Sequence, residues 1–389
     1  PFQGGAAGLL SYELGRSLET LPTPAFDEFE VPALAVGLYD AVVAFDHVDD
    51  RAWILSQGLP ECDPARRQRR AKRRLDQVIG WLDAEPSSRC GPDSQPRGAP
   101  IPMDELAPQH SVTSPSGPSE LTSSFSKKEY LRAVGRAIDY IYAGDVFQVN
   151  LAQRLLFPAR DDSVSLYRRL RRRNPAPFGG YFDLSDFQIV SASPERFLRI
   201  TGPDVETRPI KGTRQRTGQA ATDAALEIEL RQSEKDRAEN VMIVDLLRND
   251  LSRVCEPESV YVSQLCDIER YEYVMHLVSA VCGRLRGDRC PLDLVRAAFP
   301  GGSITGAPKV RAMEIIAELE PVARGPYCGS LGYLGFDGSL DLNLLIRTIT
   351  AGRGWWQAPV GGGIVAQSVP ELEYAETWHK AEGLIRALN

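Results

Sequence analysis

Leu331-Gly332-Tyr333-Leu334-Gly335-Phe336, Leu340–Ala351, Trp355-Trp356-Gln357-Ala358 and Gly363-Ile364-Val365-Ala366-Gln367 follow one another with no helical stretch between them. Apolar, aromatic and β-branched residues dominate each run, so the four read as consecutive strands. Working back along the chain, Arg196–Ile200, Gln188–Ser191, Tyr181–Asp183 and Val146–Phe157 read the same way, as do Leu34–Phe45 and Ala52–Leu55. Helical spacing falls at 64–84, 127–143, Ser165–Arg173, 223–248, 291–299, 308–319 and 370–388. Strands run together and helices intersperse them without a regular βαβ alternation. That pattern predicts an α+β fold with large antiparallel sheets.

The chain has 389 residues, 43% hydrophobic and 25% charged, enough for a large core and for two or three domains. A net charge of −7 argues against a nucleic-acid partner. No apolar run reaches the ~18 residues that a membrane span needs. Seven cysteines without metal-ligand spacing and four histidines read as scattered reduced thiols of a cytoplasmic protein. Residues 86–126 are rich in Pro, Ser and Gly and read as a linker, which leaves 1–85 and 127–389 as the two larger units. Pro1-Phe2-Gln3-Gly4-Gly5 reads as a chain cut inside a longer protein. The helix over 64–84 carries seven basic residues, a solvated face in its plainer reading.

Six places hold chemistry. In Pro209-Ile210-Lys211-Gly212-Thr213, Lys211 sits in a glycine-flanked turn, sixteen residues after Glu195 of Ser193-Pro194-Glu195-Arg196-Phe197. An amine beside a carboxyl can act as nucleophile and general acid. Two such residues alone read more plainly as a surface ion pair, worth about 0–1 kcal/mol. On the terminal helix, Tyr374, Trp378, Ala381, Ile385 and Leu388 form an apolar stripe, and Glu373, Glu376 and Lys380 a second one. Glu239, in Asp236-Arg237-Ala238-Glu239-Asn240, offers a third carboxylate next to an apolar run, and three glutamates from two helices would suit Mg²⁺. Surface glutamates neutralised by Lys380, and an Asp236–Arg237 ion pair, are the structural alternatives.

Pro300–Lys309 is a glycine-rich loop feeding a helix, with Pro308 suited to its first position. Free N–H groups there with Ser303, Thr305 and Lys309 would make an anion cradle; a plain helix-entry turn is the alternative. It is not a P-loop. Gly361-Gly362-Gly363 allows close backbone approach. Arg347, inside a strand, would need an acidic partner or a ligand.

In this order the pieces resemble the chorismate-utilising enzymes, from Gly4–Gly15 to Glu376-Thr377 and most strongly over Asp236–Asp250, Ala297–Glu314 and Gly361–Val365. The resemblance implies two large sheets packed face to face, with an active site in the cleft between lobes. Within the family, anthranilate synthases carry Ala where this chain has Lys211, and enzymes of the isochorismate type have a lysine base where this chain has Gln148. The resemblance therefore implies the branch that aminates chorismate at its 4-position, giving 4-amino-4-deoxychorismate, the precursor of p-aminobenzoate and folate. Lys211 would attack the 2-position while Glu195 protonates the leaving hydroxyl. Glu239, Glu373 and Glu376 would hold Mg²⁺. Arg347, Lys380, Thr305, Ser303, His276 and the Gly361–Gly363 backbone would bind substrate, although a satisfied core histidine is the plainer reading of His276.

Two departures accompany the resemblance. The chain begins within the family's first sheet, which puts in doubt the tryptophan pocket that relatives build near Asn174–Phe178, and the 86–126 segment is longer than usual. No cysteine lies in a nucleophile elbow, so ammonia is expected from a separate glutamine amidotransferase subunit, component II. Anthranilate synthase component I, and a non-catalytic protein that binds chorismate or tryptophan, are the competing readings.

Overall fold

The computed structural model describes residues 2–84, 99–113 and 117–388. Two antiparallel sheets dominate it. The first runs β12 (Ile210–Gln215), β14 (Val274–Arg284), β11 (Asp204–Arg208), β10 (Arg196–Thr201), β17 (Leu340–Asn343), β16 (Ser330–Gly335), β1 (Gly5–Leu10), β2 (Leu34–Tyr39), with β13 (Tyr261–Arg270) also on β14. The second runs β5 (His110–Ser111), β6 (Thr122–Ser123), β7 (Gln148–Pro158), β19 (Trp355–Ile364), β18 (Thr348–Gly352), β9 (Phe187–Ser191), β8 (Gly180–Asp183), with β15 (Gly306–Ala307) on β7. A separate hairpin, β3 (Ala41–Asp46) with β4 (Arg51–Ser56), completes the strands.

Apolar side chains of both sheets share one interior. Val149 and Leu151 of β7 meet Phe197 and Leu198 of β10 and Leu342 of β17 in one cluster; Leu9 of β1 meets Leu156, Ile189 and Trp355 in another. Helices α1 (Pro64–Asp83), α2 (Lys127–Tyr142), α3 (Ser163–Arg173), α4 (Ala220–Gln232), α5 (Glu234–Ser252), α6 (Pro291–Ala298), α7 (Lys309–Leu319) and α8 (Pro370–Leu388) surround the sheets. The starts of α1, α2 and α3 are capped by the side chains of Asp63, Ser126 and Asp162, the second within a capping box with Glu129. On α1, Arg70 and Arg74 close on Asp40 and so tie the helix to the hairpin.

Several expectations need revision. The helix read over 223–248 is two: Ser233 adopts an extended backbone and caps α5 by accepting from the Asp236 N–H. The apolar stretch Leu340–Ala351 is also two strands, in different sheets, and Trp355–Ile364 is one continuous strand. Part of the Pro/Ser-rich segment packs: Ile101, Leu106, Leu121 and Phe125 are buried, and residues 110–111 and 122–123 add β5 and β6 to the second sheet. Residues 85–98 and 114–116 of that segment lie outside the described residues. Pro308 precedes α7 as its cap rather than opening it.

The chain passes between the sheets at two neighbouring places, Ala192–Glu195 and Leu344–Arg347. Hydrogen bonds Ala192 N–H to Arg347 O (3.1 Å), Leu344 N–H to Glu195 O (3.0 Å) and Ser193 Oγ to Leu344 O (2.5 Å) lock these crossings together. Glu195 and Arg347 are thereby fixed where the two sheets meet.

Candidate active site

Lys211 is aimed by a backbone irregularity. It lies on β12 rather than in a turn, and the register against β14 slips between Lys211 and Thr213 around Gly212. Gly212 has φ +74°, and a Cβ on it would stand 2.8 Å from Leu230 Cδ1, so glycine alone suits this bulge. The Lys211 Nζ donates to the Ser303 carbonyl at 3.3 Å and lies 4.0 Å from Glu239 Oε2. Burial pushes the amine below its ordinary range, against the pull of Glu239 and Glu195.

Glu195 is buried, and the Ser303 hydroxyl donates to its Oε1 at 2.8 Å. Burial pushes the carboxyl up to about 7, with Ser303, Lys211 and the Ile210 backbone opposing the rise. One residue thus carries both groups: the Ser303 hydroxyl holds the acid and its carbonyl holds the amine.

The loop bearing Ser303 is not an open anion cradle. Thr305 donates its hydroxyl to Gly301 O (2.9 Å), and Lys309 is buried against Asp250 (2.7 Å) and Ala298 O (2.6 Å). Gly306 and Ala307 pair with β7, where a Cβ on Gly306 would lie 2.1 Å from Gln148 O. Lys309 therefore serves the loop's packing, and Ser303 is the member that faces the acid.

Glu239 comes from α5, and Glu373 and Glu376 from α8. Lys235, one turn before Glu239, lies 3.6 Å from Glu373 Oε1 and 4.0 Å from Glu239 Oε1. Lys380 Nζ lies 2.6 Å from Glu376 Oε1 and donates to Gly361 O at 2.9 Å. Burial pushes Glu239 up; burial acts likewise on Glu376, but Lys380, Lys235 and Lys211 outweigh it and hold that carboxyl low. Gly362 presents an open α-carbon to this group: a Cβ there would stand 3.4 Å from Glu376 Oε1 and 3.5 Å from Glu373 Oε2. These are hard oxygen donors around a backbone cradle, a donor set that fits a hard divalent cation. Among the described residues no three acidic, His or Cys side chains stand close enough to ligate one ion as they lie; Lys235 and Lys380 pair with the carboxylates instead.

Arg347 has φ +53° and sits in the crossing between sheets rather than within a strand. Its Nη1 donates to Lys380 O at 2.7 Å, and among the described residues no carboxylate pairs with it. A half-buried guanidinium without a counter-ion attracts an anion, and desolvation lowers its proton affinity. His276 accepts from or donates to Thr213 Oγ1 through Nδ1 (2.9 Å); burial, then Arg347, pushes it down to about 4, so it is neutral at physiological pH. Asp236 pairs with Arg214 at 3.5 Å.

Sequence reasoning missed Lys235, which the i, i+4 spacing to Glu239 could have suggested. It also missed Tyr327, buried and close enough to Arg347 to influence its charge. No local pattern marks Tyr327.

The sequence profile described as chorismate binding enzyme matches residues 1–386. The chain belongs to the chorismate-binding enzyme family. It is 42% identical over 388 residues to the anthranilate synthase component 1 of Thermus thermophilus and, equally, 42% over 388 residues to the aminodeoxychorismate synthase component 1 of Klebsiella aerogenes. Each alignment covers all of this chain and 78% of the relative. The crystal structure of anthranilate synthase component I from Streptococcus pneumoniae superimposes with a TM-score of 0.81 at 32% identity, over 99% of this chain and 81% of that one. Among these chorismate-binding enzymes, overall identity to this chain does not separate the two names.

Proposed function

We propose that this chain aminates chorismate at its 4-position, giving 4-amino-4-deoxychorismate and water. The Lys211 nitrogen bonds to the 2-position, the ring double bonds shift, and the 4-hydroxyl leaves as water with the proton of Glu195. Ammonia then bonds at the 4-position, and the returning double bonds expel the Lys211 amine.

The observation that carries this reading is the pairing of Glu195 and Lys211 on Ser303. Burial shifts both toward the neutral form, the direction in which an acid holds a proton to give and an amine frees a lone pair to attack. An ordinary ion pair would need both charged. Arg347 offers a guanidinium to a substrate carboxylate, and the backbone of Gly361–Gly363 lets the ring approach. Glu239, Glu373 and Glu376 would hold Mg²⁺, which when bound supplies charge neutralisation for a substrate carboxylate. Ammonia would come from a glutamine amidotransferase subunit.

Lys211→Ala tests the nucleophile. Intact-mass analysis of the wild-type protein quenched with chorismate should find a Lys211 adduct that the variant lacks, and amination by the variant should fall at least about 100-fold. Amination at the wild-type rate in Lys211→Ala would refute the covalent route. The anthranilate synthase relatives favour a second reading, amination at the 2-position, against which Lys211 itself stands.

A further inference from the structure

Beneath the site lies a buried ion pair that belongs to none of the roles above. Arg324 and Glu320 have side chains only 3% and 5% exposed. Arg324 Nε donates to Glu320 Oε2 (2.8 Å) and Nη2 to Glu320 Oε1 (2.6 Å), a two-pronged contact. The remaining donors go to backbone: Nη1 to Ile304 O (3.1 Å) and Nη2 to Asn150 O (2.8 Å). Glu320 Oε1 in turn accepts from Ala152 N–H at 2.8 Å. The guanidinium faces the rings of Tyr12 (4.8 Å) and Tyr327 (5.9 Å).

These partners are not scattered. Ile304 follows Ser303, which holds Glu195 and Lys211. Asn150 and Ala152 lie opposite Gly363 and Gly361 in the β7–β19 register. Tyr327 precedes Cys328, whose N–H donates to Leu345 O in the crossing that carries Arg347. One ion pair therefore grips the acid-bearing loop, the strand behind the glycine cradle and the aromatic next to that crossing. A buried ion pair is a poor way to gain stability, because desolvation cancels most of its attraction, and an apolar replacement is often neutral. Its use here is geometric.

We propose that Arg324 and Glu320 are positioning residues, which hold the Ser303 loop in register with the Gly361–Gly363 strand so that Glu195, Lys211 and substrate meet. The inference rests on the reading of the site given above. Replacing both together, Arg324→Met with Glu320→Met, removes both charges and leaves no buried ion alone, although the Ile304 and Asn150 carbonyls and the Ala152 N–H lose their partners, so its folding is checked by circular dichroism before activity is read. Arg324→Lys keeps the charge, but one ammonium cannot span Ile304 O, Asn150 O and both Glu320 oxygens.

In both variants kcat for chorismate amination should fall about 100-fold, the loss expected for a displacement of about 1 Å. Loosening the Ser303–Glu195 bond should also move the limb of the pH profile due to Glu195 upward, by about one pH unit, since that bond favours the ionised form. Amide exchange over residues 300–308 should quicken about tenfold with melting temperature little changed. Arg324→Lys with wild-type kcat and pH profile would overturn the proposal, as would a folded double variant that loses no activity. A wild-type control that makes no aminated product would instead refute the proposed reaction, and the exchange arm alone would then decide whether the brace exists.

Discussion

Glu195 and Lys211 both leave water on folding, and for each the uncharged form loses less. The consequence for stability can be signed. The Glu195 carboxyl binds its proton more tightly folded, at about 7, than in the unfolded chain, near 4.5. Its contribution is fully present below pH 4.5 and is lost as pH rises through 7. Glu195→Gln cannot ionise, so its stability relative to wild type should grow between pH 4.5 and 7 and level off above, by on the order of 2–3 kcal/mol. Urea unfolding of both proteins at pH 5 and pH 8 checks this. An advantage of the same size at both values would mean that Glu195 is ionised throughout and cannot serve as the acid. Amination by the variant should be lost at either pH.

Among elements, β19 packs against α8 and brings its glycines to the carboxylates proposed to hold the metal. Gly361 and Gly362 are neighbours with different reasons to be glycine. A Cβ on Gly361 would press to 2.5 Å from Leu151 O on the partner strand, whereas on Gly362 it would only fill the space facing Glu373, Glu376 and Lys380. Gly361→Ala should therefore lower the melting temperature, and Gly362→Ala should leave it near wild type while raising the KM for chorismate about tenfold or more. Equal thermal losses in both would show that the cradle serves packing alone. Glu376→Gln should weaken Mg²⁺ binding at least about tenfold in calorimetric titration, since it removes one of three carboxylates while Lys235 and Lys380 stay. Unchanged binding would displace the metal site from this cluster.

The elements also reveal where the sequence is silent. The extent of terminal helix 370–388 could be read directly, and Ala381, Ile385 and Leu388 of its apolar stripe are buried, whereas Tyr374 and Trp378 are half-buried and Glu373 is buried in their place. Leu340–Ala351 could not: apolar residues continue through Leu344–Ile346, and a change of sheet leaves no mark in a period of two. The bulge at Gly212 was legible only as a glycine beside a lysine. Ile101, Leu106 and Leu121 are isolated apolar residues in a Pro/Ser-rich context, and only tertiary packing reveals that they are core. Glu195, Lys211 and the glutamates read by themselves as surface charges, and only the family resemblance singled them out, whereas no motif marks Arg324 or Tyr327, whose partners are distant in the chain.

For the whole molecule, the α+β reading with large antiparallel sheets holds, and the cleft chemistry gathers where the chain twice crosses between them. Among the described residues no helix is long and apolar enough to cross a membrane. Relatives of this chain carry different names at the same 42% identity, so overall similarity alone does not choose between the reactions. On the proposed function, Lys211 directs amination to the 4-position. Incubating the purified chain with chorismate, Mg²⁺ and an ammonium salt at alkaline pH, then following fluorescence before and after adding a lyase that cleaves 4-amino-4-deoxychorismate, tests it most directly. The account predicts no anthranilate fluorescence at any time and p-aminobenzoate only after the lyase is added. Anthranilate formed by the chain alone would contradict it.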